Sequence, residues 1–413
     1  MSHPPALSDV PCLFDDAFAA CPQDAYAALR AAGPVSWAQI APDTFALVVT
    51  GHRAAVELLT NTADYSKDSR RWAALNSGQV PPDSPVLGLM AFRPNVLFAD
   101  GKRHRRLRQV MEDCLARIDM HQLRERTQTH AAGLITGFAP DGRAELMADF
   151  ADMLPLLTFA DLLGCSPELA GKMVTACQGI VGAQADAAQA AADFAAILGR
   201  LVVEKRGIPG KDLTSWMITH PARLSDEEAV HQLFCFVGAG VIPTAAWIAS
   251  STRLLLADDE YAGALSGGTV TIRRAMEKVL WTQSPLANFA VYYAVRPTTL
   301  LGTIAIPPDT PLMISHAATN TDPELTGLGY DNRSHLAWST GQHRCPAESQ
   351  AGVMTQAALE TVLARLWDLQ LADTTTVNRP GPFFNCPRTL DVHFRAQPAD
   401  EPAVSAASSG GHA

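Results

Sequence analysis

The sequence predicts a mainly α-helical domain with a small β-rich region. Helix-type periodicity runs through most of the chain, strand-like runs are few, and no stretch reads as an interdomain linker. The chain has 413 residues, 47% of them hydrophobic and 18% charged, ample for a large buried core. Length alone would allow two or three domains, but no repeat or linker divides the sequence. The expected organisation is a flexible N-terminus over 1–11, one domain over 12–395, and a disordered tail over 396–413. That tail, "AQPADEPAVSAASSGGHA", is dominated by Pro, Ala, Ser and Gly.

A formal net charge of −10 argues against general nucleic-acid affinity, which needs a basic surface. The start, "MSHPPALSDVPCLFDDAF", lacks a basic segment followed by an apolar run. No stretch approaches the ~18 apolar residues of a membrane span. The eight cysteines (12, 21, 114, 165, 177, 235, 345 and 386) contain no CxxC pair and are too sparse for a disulfide framework. Reduced thiols in a cytoplasmic protein are expected.

Taken in chain order, "TFALVVT" (44–50) reads as a strand. "QADAAQAAADFAAILGRLVV" (184–203) is interrupted by aspartates at helical spacing and reads as an amphipathic helix. Residues 222–256 carry the N-cap signal "SDEE" and then a nearly all-apolar run, the pattern of a central core helix. "GTIAIPPDTPLMIS" (302–315) places a Pro-Pro-Asp turn between two short strands. Residues 346–368 open with proline at the expected first helical position and keep apolar residues at i, i+3 and i+4. "LDVHF" (390–394) is the last strand.

One cysteine stands apart. In "STGQHRCPAE" (339–348), Cys345 follows Gln342, His343 and Arg344 and directly precedes the expected helix. A lone cysteine is usually a small buried hydrophobe. A thiol at a helix N-terminus beside basic groups is instead expected to be held as thiolate, suited to a nucleophile or metal ligand. No nearby His-Asn or His-Asp pattern resembles a cysteine protease, and no second cysteine is close enough for zinc. A single thiolate ligand fits a haem iron.

The segment "HLAWSTGQHRCPA" (335–347) resembles the haem-binding loop of the cytochrome P450 family, F-x-x-G-x-x-x-C-x-G. Trp338 takes the aromatic place, Gly341 the turn, His343 a basic place and Cys345 that of the axial iron ligand; Ala347 replaces the last glycine. Further segments match in order. "CPQDAYAALRAAGPVSW" (21–37) resembles the family's amino-terminal helix and first strand. "NVLFADGKRHRRLRQVM" (95–111) is similar to the helix carrying H-x-x-x-R to the haem propionates. Residues 289–324 resemble the segment with a haem-facing arginine and the strand pair after it. The likeness covers nearly all of 12–395, and "NRSHLAW" and "CPA" lean towards soluble actinobacterial members.

The resemblance implies a P450 fold, with haem b between the long central helix and the helix after the cysteine loop. It implies His104, Arg108, Arg296 and His343 as partners of the propionates, which need cations in a low-dielectric pocket. His104 and Arg108 are four residues apart and share a helix face. On its own, His104 would read as a solvated member of the run "GKRHRRLR". Lys102, Arg103, Arg105 and Arg106 cannot all face one group, and some are expected to form a patch attracting an acidic ferredoxin. The substrate cavity would draw on 76–93, 165–195, 286–292 and 383–384, including Leu286, Phe289, Phe383 and Phe384.

Two departures from the family's pattern stand out. The usual E-x-x-R pair falls on Lys278 and Trp281 in "AMEKVLWTQSP" (275–285), and the sequence is similar to a small actinobacterial subgroup lacking that pair. Glu277 is about 100° around the helix from the glutamate's place, and Arg333 is its expected partner. The oxygen-activating pattern A-G-x-[acid]-T-T reads "AGVIPT" (239–244): Ile242 replaces the acid and Pro243 the first threonine. Ala239, Gly240 and Thr244 remain as the catalytic candidates, with a kink expected at Pro243. The resemblance implies a monooxygenase acting on an apolar or mixed-polarity small molecule, fed by NAD(P)H through ferredoxin and its reductase. The departures keep a peroxide-driven enzyme and a low-turnover haem-binding scaffold in view.

Overall fold

The longest apolar run forms the centre of the protein in a computed structural model, which describes residues 10–182, 187–258, 261, 269–325, 330, 332–375 and 377–397. It folds as the helix Asp226–Ala257, started by a capping box. Glu228 N–H donates to Ser225 Oγ at 3.1 Å, and Ser225 N–H donates to the Glu228 carboxylate at 3.2 Å. The helix runs on through Pro243 without a break in assignment. By length and composition it could cross a bilayer, and 67% of its most apolar window is buried within the protein.

Three apolar clusters enclose this helix. Phe236, Val237 and Val241 pack with Phe159, Leu107 and Met354. Ala245, Ala246 and Ile248 pack with Phe150, Leu154 and Ala358. Trp247 and Leu255 pack with Met276, Val279 and Leu359. The central helix is thus packed among the helices Gly101–Ala116, Met153–Leu163 and Glu348–Arg365.

The strands are β1 Val35–Ala41, β2 Thr44–Val49, β3 Tyr65–Ser66, β4 Arg143–Glu145, β5 Asn288–Ala294, β6 Thr298–Leu300, β7 Ile304–Ile306, β8 Pro311–Ser315, β9 Gln370–Leu371 and β10 Asp391–His393. The main sheet has the order β1-β2-β8-β5-β3, antiparallel except for β2 beside β8. The expected strands at 44–50 and 390–394 form as β2 and β10. The Pro-Pro-Asp turn separates β7 from β8, which join different sheets. Between Phe289↔Ile314 and Tyr292↔Leu312 strand β5 advances three residues while β8 advances two, a bulge.

The amino-terminal helix forms as Pro22–Ala32 and leads into β1. The helix expected at 346–368 is shorter, Glu348–Arg365. Pro346 stays outside it because the preceding loop is tied back: Cys345 N–H donates to the Trp338 carbonyl at 2.8 Å. The helix expected at 184–203 appears as Ala187–Gly207, its first residues lying outside the described ones. Residues 1–9 and 398–413, expected as flexible ends, also lie outside the described residues.

Candidate haem-thiolate site

The cysteine loop is shaped by a glycine. Gly341 has φ +71, and a Cβ there would collide with the Leu59 carbonyl. This lets the turn Gly341–His343 lie against the helix His52–Thr60. Trp338, in the aromatic position, meets Trp247 of the central helix edge to face at 5.4 Å between ring centroids. The loop is therefore fastened to the central helix by an aromatic pair and to Cys345 by a backbone bond.

Ala347 N–H points at Cys345 Sγ from 3.4 Å. The helix end and the basic neighbours favour the thiolate as expected, and burial opposes them. Burial raises the Cys345 thiol above its ordinary value, outweighing the Ala347 N–H, Arg108 and Arg344, which lower it. Arg344 bonds Glu348 at 2.5 Å instead. A metal bound at Sγ would itself have to displace the proton.

Across the loop lies His104, which is 2% exposed, and its ring meets that of His343 at a 51° tilt with centroids 4.1 Å apart. Among the described residues neither ring nitrogen of His104 has a hydrogen-bond partner, nor does His343 Nε2. Burial first, and then the nearby cations, push the His343 value down to about 2 and lower that of His104. Arg108 stands one turn after His104, donating to Glu112 at 2.7 Å and to the Arg344 carbonyl at 2.6 Å. Three of the four expected cationic groups, His104, Arg108 and His343, are thus brought together near Cys345.

Arg296 is not. It lies beyond the end of β5, with its side chain 68% exposed, and donates to Asp64 Oδ1 at 2.6 Å. Its place beside His343 is taken by Tyr292, whose ring centroid is 6.2 Å away. The β5 bulge sets which residues of this strand face that way, a register the sequence pattern did not reveal. The buried Lys67, missed in the sequence, lies with its ammonium 4.5 Å from the Tyr292 ring. Within the basic run Arg103 and Arg106 both reach Glu228, while Lys102 and Arg105 are exposed and make no ion pair among the described residues.

On the central helix, Ala239 is exposed although most of its neighbours are buried, and Ile242 and Pro243 are half-buried. Ala239 and Pro243, four residues apart, share a face with Cys235, which lies close enough for Cys345 and Lys67 to perturb its thiol. Gly240 instead packs on Phe159, where a Cβ would collide with the ring. Thr244 is 4% exposed and sits about 140° around the helix from Ala239. The two catalytic candidates Gly240 and Thr244 therefore leave the face that Ala239 shares with Pro243.

The missing E-x-x-R pair has a replacement. Glu277 meets His335 at 3.2 Å and Arg333 at 3.5 Å, the latter being the expected pairing. Lys278 pairs with Asp258 at 2.8 Å, and Trp281 donates to the Asn332 carbonyl at 3.1 Å. Apolar rings collect beside β5: Phe289 meets Phe383 at 6.0 Å, Phe383 meets Phe384 at 6.4 Å, and Leu286 bridges to Phe384. Among the described residues no group of three or more His, Cys, Asp or Glu could hold a bare metal ion.

A half-buried thiol, imidazoles with unpartnered ring nitrogens among the described residues and a partly open face on the central helix fit a haem held by one thiolate. Fold and site together define a haem-thiolate protein. No protein-family model matches the chain. It is 30% identical over 411 residues to the cytochrome P450 monooxygenase PikC of Streptomyces venezuelae, covering 95% of each chain. It is 26% identical over 372 residues to the vitamin D(3) 25-hydroxylase of Pseudonocardia autotrophica, covering 87% of this chain and 90% of that protein. Testosterone-bound CYP154C4 of a Streptomyces species superposes with a TM-score of 0.84 at 25% identity, over 94% of this chain and 98% of that one. The chain belongs to the cytochrome P450 family and is a P450-type monooxygenase.

Proposed function

We propose that this P450 inserts one oxygen atom into a largely apolar small molecule, using Cys345 as the iron ligand. The observation that carries the reading is the loop geometry: Cys345 Sγ under the Ala347 N–H, tethered through Trp338 to the central helix. Haem bound there would supply oxygen activation, with a thiolate ligand favouring O–O cleavage. His104, Arg108 and His343 would hold the propionates. Phe289, Phe383, Phe384 and Leu286 would exclude water from the substrate side and give shape without strong polar demands. A vitamin D(3) hydroxylase and a testosterone-bound structure among the similar proteins support a bulky apolar substrate. Electrons would come from NAD(P)H through a ferredoxin and its reductase in the cytoplasm, in keeping with the free thiols of the seven cysteines whose side chains are described.

One observation favours a second reading, peroxide-driven turnover. The turn from Ala239 to Pro243 holds no carboxylate and no hydroxyl, since Ile242 replaces the acid and Thr244 lies about 100° around the helix from Pro243. Peroxide already carries protons that dioxygen needs delivered. Two measurements test the proposal. The ferrous–CO complex should show the red-shifted Soret band of thiolate ligation, moved to an ordinary position in Cys345→His. Product yields with ferredoxin and reductase, compared with hydrogen peroxide over a panel of apolar compounds, separate the two enzymes. No product by either route would leave only a haem-binding scaffold.

A further inference from the structure

Lysine is almost never fully buried unless its charge is met. Lys67, directly after β3, is 5% exposed, yet its ammonium has no ion pair or hydrogen bond among the described residues. The nearest carboxylate is occupied elsewhere. Asp100 accepts from Ser66 Oγ at 2.6 Å and from the Lys67 backbone N–H at 3.1 and 3.2 Å. The side chain instead extends over two rings, Tyr292 at 4.5 Å and Phe289 at 5.8 Å. Cation–π contacts offset only part of the cost of burying an ammonium. Burial accordingly pulls the Lys67 value down to about 7, with Asp100 only partly opposing it.

The same ring links Lys67 to the imidazoles. Tyr292 stands beside His343, and His343 meets His104. Tyr292 Oη, His343 Nε2 and both nitrogens of His104 are buried with no hydrogen-bond partner among the described residues. Four side chains from four elements thus hold a cation and several donors around one place, without a protein acceptor. Arg296, the cation expected there, is committed to Asp64 at the surface. An anion rich in acceptor oxygens satisfies this set.

We propose that Lys67 binds a haem propionate in the role expected of Arg296, with Tyr292 Oη donating to the same carboxylate. This rests on the haem-thiolate reading of the site. The ammonium gains its missing counter-charge, and the bulge in β5 presents a hydroxyl rather than a second guanidinium. Lys67 is a cofactor-binding residue that enters from the β3 side of the sheet. It also borders an apolar cleft with Leu89, Met90 and Phe289, so a substrate carboxylate is the rival occupant.

The test compares haem transfer to apomyoglobin from wild type, Lys67→Met, Lys67→Arg and Tyr292→Phe. A parallel set is reconstituted with haem whose propionates are methyl-esterified. Lys67→Met should release native haem about tenfold faster or more, the loss of one charge-assisted bond, and Lys67→Arg should restore retention. Tyr292→Phe should show a smaller acceleration; it removes one oxygen and keeps the ring if Lys67→Met does not fold. With the diester, wild type and all three variants should release haem at one rate. No acceleration with native haem overturns the proposal, as does equal acceleration with the diester, which would mark a packing role. Unchanged haem retention in Lys67→Met, together with loss of a spin-state shift that palmitate causes in the wild type, would overturn the proposal and assign the ammonium to a substrate carboxylate. Wild type that takes up no haem would refute the underlying reading and the proposal with it.

Discussion

Glu277 accepts a hydrogen bond from the buried ring of His335, Nε2 to Oε2 at 3.2 Å, and this contact joins the helix before β5 to the approach of the cysteine loop. The Trp281 ring stands edge-on to the same imidazole at 5.6 Å. The expected E-x-x-R pair is thus replaced by a carboxylate one residue earlier and an imidazole 58 residues away. Arg333, 75% exposed, adds a solvent-screened ion pair of small value.

Removing the Glu277 carboxylate leaves His335 buried without its acceptor. Glu277→Ala should destabilise the protein by about 1–3 kcal/mol, and Arg333→Ala by under about 1 kcal/mol. Denaturant unfolding of both variants measures the difference. Equal losses would mean that the exposed arginine, not the buried histidine, holds the junction.

Haem retention should depend on His104 and not on Arg296. His104→Ala removes a buried donor from the cluster and should weaken retention by about 1–3 kcal/mol. Arg296→Ala breaks only the exposed pair with Asp64 and should leave haem release unchanged. Transfer to apomyoglobin reads both. Faster release from Arg296→Ala would show that the arginine swings inward when haem binds.

Oxygen activation should be poorly coupled. A positioned proton donor contributes ~10²–10⁴-fold, and none stands in the turn from Ala239 to Pro243. Ile242→Glu should raise product formed per NAD(P)H consumed more than it raises peroxide-driven product. Tight coupling in the wild type would show that substrate or water supplies the proton path.

The haem-free protein should lose stability in acid before the loaded one. Burial, with Lys67 and His335 adding to it, lowers His316 from the ordinary 6.5 to about 4. Burial, with Lys67, His104 and Arg108, lowers His343 to about 2. Both folded values lie below the unfolded ones, so the unfolded chain binds more protons as pH falls and stability is lost below about 6.5. His316 alone should cost about 2 kcal/mol by pH 5. Propionates beside His343 and His104 would favour their charged forms and shrink the loss in the holoprotein. Unfolding curves at pH 7.5 and 5, with and without haem, measure this; identical pH slopes would separate the histidines from the cofactor.

What the sequence determined by itself is what local physics decides. Apolar period and the Ser225–Glu228 capping box place the central helix, and the glycine–cysteine spacing places the haem loop. Both depend on residues within a few positions of one another. The helix face shared by His104 and Arg108 is local in the same sense. Tertiary structure decided the rest, because burial and register are set by segments far apart in the chain. A single extra residue in β5 sets which side chains face His343, and Arg296 lies beyond the strand's end, where Asp64 takes it. Lys67 looks like any surface lysine until four elements close around it. The Cys345 thiol is flanked by basic residues in sequence, yet burial outweighs them in the fold, since desolvation acts on the whole surroundings of an atom and not on its neighbours along the chain.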